Sequence, residues 1–143
     1  MREQVKNDEL RHTLLIDKMI PRQVASKLKN KQKIEPEYFD NVTILFAYIS
    51  KFSKYSGNMN NTNVVQLLHE MFLEFDKQTD INHVYKVENI GETYMAVSGC
   101  PKKDVNQGIR ICNMALAMMN IMKEKNWKWN NGDPVELQIG IHS

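Results

Sequence analysis

Residues 84–99 read Val-Tyr-Lys-Val-Glu-Asn-Ile-Gly-Glu-Thr-Tyr-Met-Ala-Val-Ser-Gly. Two apolar runs rich in β-branched and aromatic residues flank a polar bend that contains Gly91. This pattern predicts a β-hairpin with strands at 83–89 and 92–98. Two carboxylates, those of Glu88 and Glu92, lie at the tip of the predicted hairpin.

Strands and helices alternate on both sides of this hairpin. A β-branched and aromatic run predicts a strand at 42–49, and alternation of apolar residues predicts another at 135–142. Helices are predicted at 64–78 and 104–124. The order strand, helix, strand, strand, helix, strand predicts an α+β fold with a ferredoxin-like core, in which the helices cover one face of a mainly antiparallel sheet.

Each predicted helix has one apolar stripe that we expect to face the sheet. In the first helix the stripe consists of Val64, Leu68, Met71, Phe72 and Phe75. In the second helix it consists of Val105, Ile109, Cys112, Leu116 and Met119.

Composition sets broad limits on the function. The chain has 143 residues, of which 42% are hydrophobic and 25% charged, as in one soluble globular domain. A net charge of +2 gives no support for nucleic-acid binding. No apolar run approaches the about 20 residues of a membrane span, so an anchor of a longer parent chain would lie outside this segment. Cys100 and Cys112 are predicted to be reduced packing residues on the cytoplasmic side.

Two motifs resemble the class III nucleotidyl cyclases, the enzymes that make cyclic AMP or cyclic GMP. The strand at 42–49 and the following Ser50-Lys51-Phe52-Ser53 resemble the family's V-T-I/V-L-F-A-D-I-V-G-F-T. The hairpin resembles Y-K-V-E-T-I-G-D-A-Y-M-x-V-S-G-L-P. The resemblance runs from about Leu14 to the last residue, and it implies the cyclase palm fold.

The departures from the family pattern lie where the family binds metal. Two aspartates hold Mg²⁺ or Mn²⁺ in the family, and the matching positions here are Tyr48 and Glu92. A phenol with a pKa of about 10 is no ordinary ligand for a hard cation, and Glu92 is one methylene longer than aspartate. The phosphate-contacting turn also differs, since V-G-F is replaced. We expect this half to bind no metal. The phosphate-loop equivalents are Ile49, Ser50, Lys51 and Phe52.

The purine side keeps the family's guanylyl pattern. Guanylyl cyclases place a glutamate in K-V-E-x-I-G, and the matching residue is Glu88. A carboxylate accepts hydrogen bonds from guanine N1–H and the 2-amino group, whereas adenine lacks that donor pair. The resemblance therefore implies GTP recognition by Glu88, whereas the residue taken alone favours a solvated hairpin carboxylate.

The N-terminal segment resembles the linker that precedes many cyclase domains. Residues 3–20 predict a helix, and Pro21 begins a second short helix through Leu28. The match to L-L-x-x-M/L-L/I-P-x-x-V-A-x-x-L in 14–28 implies a signalling and dimerisation helix over 1–30, followed by the cyclase domain over 31–143. An amphipathic helix packed on its own domain is the alternative.

Together these features predict the purine-side, β-type half of a guanylate cyclase, a phosphorus–oxygen lyase that makes cyclic GMP and pyrophosphate from GTP. The implied partner is a second cyclase domain that carries both aspartates and supplies most of the metal site. The family continues beyond Ser143, so this segment is expected to be an incomplete domain and inactive alone. The alternative is a pseudo-cyclase that serves as a dimerisation or regulatory module.

Overall fold

The computed structural model describes residues 4–7, 22–87, 89 and 91–143. Contacts divide the chain after Tyr38. In the first unit, residues 4–7 are helical and helix α1 spans Arg22–Lys29, as predicted for the segment after Pro21. The rest of the predicted helix at 3–20 and most of the predicted dimerisation segment lie outside the described residues. The functional division into 1–30 and 31–143 stays a prediction.

The second unit is built on one four-stranded sheet. The strand order is β2-β3-β1-β4, and every neighbouring pair is antiparallel. This order and the alternation of elements confirm the predicted α+β fold. The strands are β1 (Thr43–Ile49), β2 (Tyr85–Lys86), β3 (Thr93–Ser98) and β4 (Leu137–His142); the helices are α2 (Phe52–Ser56), α3 (Asn61–Ile81) and α4 (Gln107–Lys125).

Helices α3 and α4 cover the same face of the sheet, as predicted. Alternation along β1 sends Leu45, Ala47 and Ile49 toward the helices, where all three are buried. Phe46 and Tyr48 point to the opposite face and keep 44% and 46% of their surface exposed. The sheet therefore has one packed face and one partly open face, which is exposed at Phe46 and Tyr48 but buried at Val97, opposite Ile44. None of the helices in the described ranges has the length and apolar character needed to cross a membrane.

Helix α3 begins three residues earlier than predicted. The side chain of Asn60 caps it by accepting a hydrogen bond from the Thr62 N–H at 2.9 Å. The buried face is Leu67, Met71, Phe72, Phe75 and Thr79, so three of the five predicted positions are confirmed. Val64 and Leu68 are only half-buried.

The predicted stripe of α4 is wrong. Val105, Ile109, Cys112, Leu116 and Met119 are all exposed, and Val105 precedes the helix. The buried side chains are Ile111, Met114, Met118, Ile121 and Met122. The buried positions are shifted by two residues from the predicted ones. A shift of two residues is a rotation of about 200° around the helix axis, so the predicted and the observed stripes lie on opposite sides of α4. Both have helical spacing, and the buried one contains three methionines, which fill irregular spaces in a core.

The hairpin is shorter on its first side than predicted. Residues 82–84 belong to the turn that ends α3, where the Val84 N–H donates to the Thr79 carbonyl at 3.0 Å and His83 has a φ of 54°. Strand β2 therefore begins only at Tyr85. Beyond it, the Val87 N–H donates to the Met95 carbonyl at 2.9 Å.

Candidate functional site

The sheet register brings Tyr48 next to the hairpin tip. Tyr48 lies opposite Thr93 on β3 and opposite Gln138 on β4. Glu92 directly precedes Thr93 and is half-buried, whereas Tyr48 is on the open face. The two positions that match the family's aspartates therefore meet at one end of the sheet. That these two positions bind no metal stays a prediction.

The turn after β1 has the backbone of a glycine turn without the glycine. Ile49 and Ser50 are buried, and the Ser50 N–H donates to the Glu136 carbonyl at 2.8 Å. Lys51 follows with φ 54° and ψ 30°, in the left-handed region that glycine adopts most easily. Its carbonyl accepts bonds from the Lys54 and Tyr55 N–H groups at 3.1 and 3.2 Å, which start α2. The family's glycine aligns with Lys51. The left-handed backbone at this position is a physical reason for a glycine there.

An aromatic cluster holds α2 against the turn that precedes β4. The rings of Tyr55 and Trp129 stack with centroids 5.1 Å apart, and Phe52 meets Trp129 edge-on at 6.2 Å. The Tyr55 hydroxyl donates to Asp133 Oδ2 at 2.9 Å. This hydrogen bond to a carboxylate raises the pKa of Tyr55. Phe52, a predicted phosphate-loop equivalent, thus contributes packing to this end of the sheet.

The purine-side position, Glu88, lies outside the described residues. The base of its hairpin is described, and a carboxylate on α3 holds it. Asp76 accepts hydrogen bonds from Lys86 Nζ at 2.9 Å and from the Tyr94 hydroxyl at 2.7 Å. Tyr94 is fully buried, and its ring contacts those of Phe72 and Phe75. Burial, and secondarily the bond to Asp76, raises the pKa of Tyr94.

Sequence reasoning missed this cluster, although Lys86 and Tyr94 both lie within the quoted motif. Asp76 is separated from them by 10 and 18 positions. One signal was available: Asp76 directly follows the buried Phe75 on α3, so its carboxylate borders the core. Such a carboxylate needs donors.

The donor set at the Tyr48 and Glu92 positions does not fit a two-metal site. A phenol and a single carboxylate provide too few carboxylate oxygens for two hard divalent cations. Across residues 4–7, 22–87, 89 and 91–143, no group of three or more His, Cys, Asp or Glu side chains could hold a metal ion.

Comparisons with known proteins agree on one family. The model of the adenylate and guanylate cyclase catalytic domain matches residues 34–143. The chain is 40% identical over 131 residues to the receptor-type guanylate cyclase gcy-5 of Caenorhabditis elegans. This alignment covers 91% of the chain. The chain spans only 12% of that relative's length.

Solved structures show the same similarity. The guanylate cyclase domain of RhGC from Catenaria anguillulae, solved in complex with GTP, is 30% identical with a TM-score of 0.64. That alignment covers 70% of this chain and 54% of the other. A bacterial light-regulated adenylyl cyclase, 19% identical, shares the fold with a TM-score of 0.75 over 97% of this chain and 41% of its own.

Proposed function

Because this chain belongs to the adenylate and guanylate cyclase catalytic domain family, we propose that it is the purine-side half of a dimeric guanylate cyclase. The predicted class III resemblance and palm fold are confirmed. The observation that carries the proposal is the asymmetry of the site. The hairpin keeps Lys86-Val87-Glu88, whereas the adjacent metal position on β1 is Tyr48.

In this proposal Glu88 selects guanine. Its carboxylate accepts hydrogen bonds from guanine N1–H and the 2-amino group, which adenine cannot offer. A site built to bond a polar edge rejects a base that leaves its own polar atoms unpaired. The relatedness to guanylate cyclases, one of them solved with GTP, supports GTP as the substrate.

The partner in this proposal is a second cyclase domain that carries both metal aspartates. It holds the Mg²⁺ or Mn²⁺ ions, which supply charge neutralisation at the phosphates. The open sheet face supports such pairing, because Phe46 and Tyr48 leave apolar surface uncovered. Since the relatives include receptor-type guanylate cyclases, we place this segment in a longer chain, on the cytoplasmic side.

A pseudo-cyclase is the second candidate, and a specific observation favours it. Tyr48 and Lys51 both depart from the family pattern, and they lie three positions apart at the same end of β1. If the metal positions of the partner were altered as well, neither subunit would supply the carboxylates that bind the metal ions. The protein would then act as a dimerisation or regulatory module.

Exchange of Glu88 for lysine tests the proposed function. In the full-length dimer, Glu88→Lys is expected to weaken use of GTP and relax selectivity toward ATP by about one to two powers of ten, since a charged hydrogen bond is worth about 1.5–3 kcal/mol. The measurement is production of cyclic GMP and cyclic AMP from equal nucleotide concentrations. Glu124→Lys, the same exchange on an exposed end of α4, is the matched control.

Unchanged selectivity in Glu88→Lys would remove guanine recognition from this residue. Absence of activity with a partner that has both aspartates would favour the pseudo-cyclase instead.

A further inference from the structure

One carboxylate on α3 connects both strands of the hairpin to the helical layer. Asp76 bonds Lys86 on β2 and Tyr94 on β3, at 2.9 and 2.7 Å. Lys86 Nζ also lies 5.5 Å from the centre of the Tyr94 ring. We call Asp76, Lys86 and Tyr94 the hairpin clamp.

The clamp matters because the backbone holds β2 by few contacts. Strand β2 is at the sheet edge and has only two residues, paired as Tyr85 with Val97 and Lys86 with Ala96. Hydrogen bonds with an ionised partner are shorter and stronger than neutral ones. The side chains of Lys86 and Asp76 are about two-thirds buried, at 33% and 35% exposed, so solvent weakens their attraction less than at an open surface.

The clamp is anchored in the core on its other side. The Tyr94 ring lies 5.4 Å from that of Phe72 and 5.5 Å from that of Phe75, and Tyr94 has no exposed surface. A fully buried ring in close-packed surroundings has one position. Its hydroxyl therefore fixes where the Asp76 carboxylate sits, and the carboxylate in turn fixes Lys86.

We propose that the hairpin clamp positions the guanine-reading tip, so that Asp76 and Lys86 determine nucleotide selectivity without contacting the nucleotide. This inference rests on the proposed function, in which Glu88, two residues after Lys86, reads the base. Recognition groups must be held within about 0.5 Å of their productive geometry by neighbours whose own positions are locked. The clamp provides that support at the last ladder pair before the tip.

The test uses the full-length dimer and equilibrium binding of non-hydrolysable GTP and ATP analogues, so that turnover is not required. In Asp76→Asn and Lys86→Met, affinity for the GTP analogue is expected to fall at least about tenfold, the change in binding expected when a hydrogen bond to a charged group is weakened. Affinity for the ATP analogue is expected to stay unchanged. Lys86→Arg, which keeps charge and reach, is expected to restore GTP binding.

Matched controls come from the same helix. Lys77 pairs with Glu74 at 2.8 Å, and that pair is separate from the clamp. Lys77→Met and Glu74→Gln remove the same charges one to two positions from Asp76 and are expected to preserve selectivity. If Asp76→Asn fails to fold, Tyr94→Phe, which removes one oxygen, provides the test and is expected to shift selectivity in the same direction.

The outcomes distinguish the role of the hairpin clamp from guanine recognition by Glu88. Equal loss of both analogues in the clamp variants, or unchanged selectivity with only a lower melting temperature, would show a merely structural role and overturn the inference. If Glu88→Lys relaxes selectivity in the same assay while the clamp variants do not, only the clamp inference fails. If Glu88→Lys has no effect, or the wild-type dimer binds neither analogue, the proposed function fails and the inference with it.

Discussion

Two adjacent methionines on α4 provide a direct test of which side of that helix is buried. Met118 has no exposed surface, whereas Met119 keeps 47% of its surface exposed. Both lie in the helix interior, so Met→Ala changes helix propensity equally at the two positions. Any difference between the two variants therefore reports burial.

The expected magnitudes are far apart. Met118→Ala removes three side-chain heavy atoms from the core, worth about 0.8 kcal/mol each in transfer free energy. A residual cavity of roughly 60 Å³ adds about 1.4 kcal/mol, for a total loss of about 3–4 kcal/mol. Met119→Ala is expected to change the free energy of unfolding by less than about 0.5 kcal/mol, as for surface positions generally.

Urea unfolding followed by far-UV circular dichroism measures both variants. The slope of free energy against urea should be unchanged, so that the midpoint alone reports stability. Equal losses, or a larger loss in Met119→Ala, would refute the assignment and return the buried face to the stripe predicted from sequence.

Two further predictions concern the altered end of β1. Lys51→Gly is expected to stabilise the protein by about 0.5–1 kcal/mol. A residue with a side chain pays about 1–2 kcal/mol for the left-handed backbone that Lys51 adopts, and glycine avoids this cost. Glycine in turn loses about 0.5–1 kcal/mol through the greater entropy of the unfolded chain. Lys54→Gly, in α2, is expected to destabilise in the same urea assay, and a destabilised Lys51→Gly would contradict the turn geometry. Glu92→Ala is expected to leave Mn²⁺ affinity of the complete dimer unchanged in a metal titration. A large loss would show that this half holds the metal.

The presence of the strands and of α3 could be predicted from their patterns, although β2 is shorter than predicted. Strand β1 is a continuous β-branched and aromatic run, and the hairpin combines two such runs with a glycine-containing bend. Helix α4 differs, because apolar residues fall on two opposite sides. Periodicity alone ranks neither stripe above the other, and only the fit against the sheet decides that Met118 is inside.

The site could be predicted in part, for a related reason. Tyr48 and Glu92 were expected together because both positions belong to linear motifs, and the register does bring them to one end of the sheet. The contacts of Asp76 could not be predicted from motifs along the sequence. Its partners lie on two strands beyond the end of α3, and their convergence depends on how the hairpin lies against the helix.

The turn after β1 adopts a backbone that glycine accepts easily, although its side chains depart from the family pattern. Lys51, at the position of the family's glycine, has a left-handed backbone, and β1 pairs with β3 beside Glu92. The departure with the clearest chemical consequence is the phenol of Tyr48 in place of a carboxylate. In the proposed dimer, a partner that supplies carboxylates would compensate for it. The metal positions of the proposed partner would therefore discriminate between an enzyme half and a regulatory module.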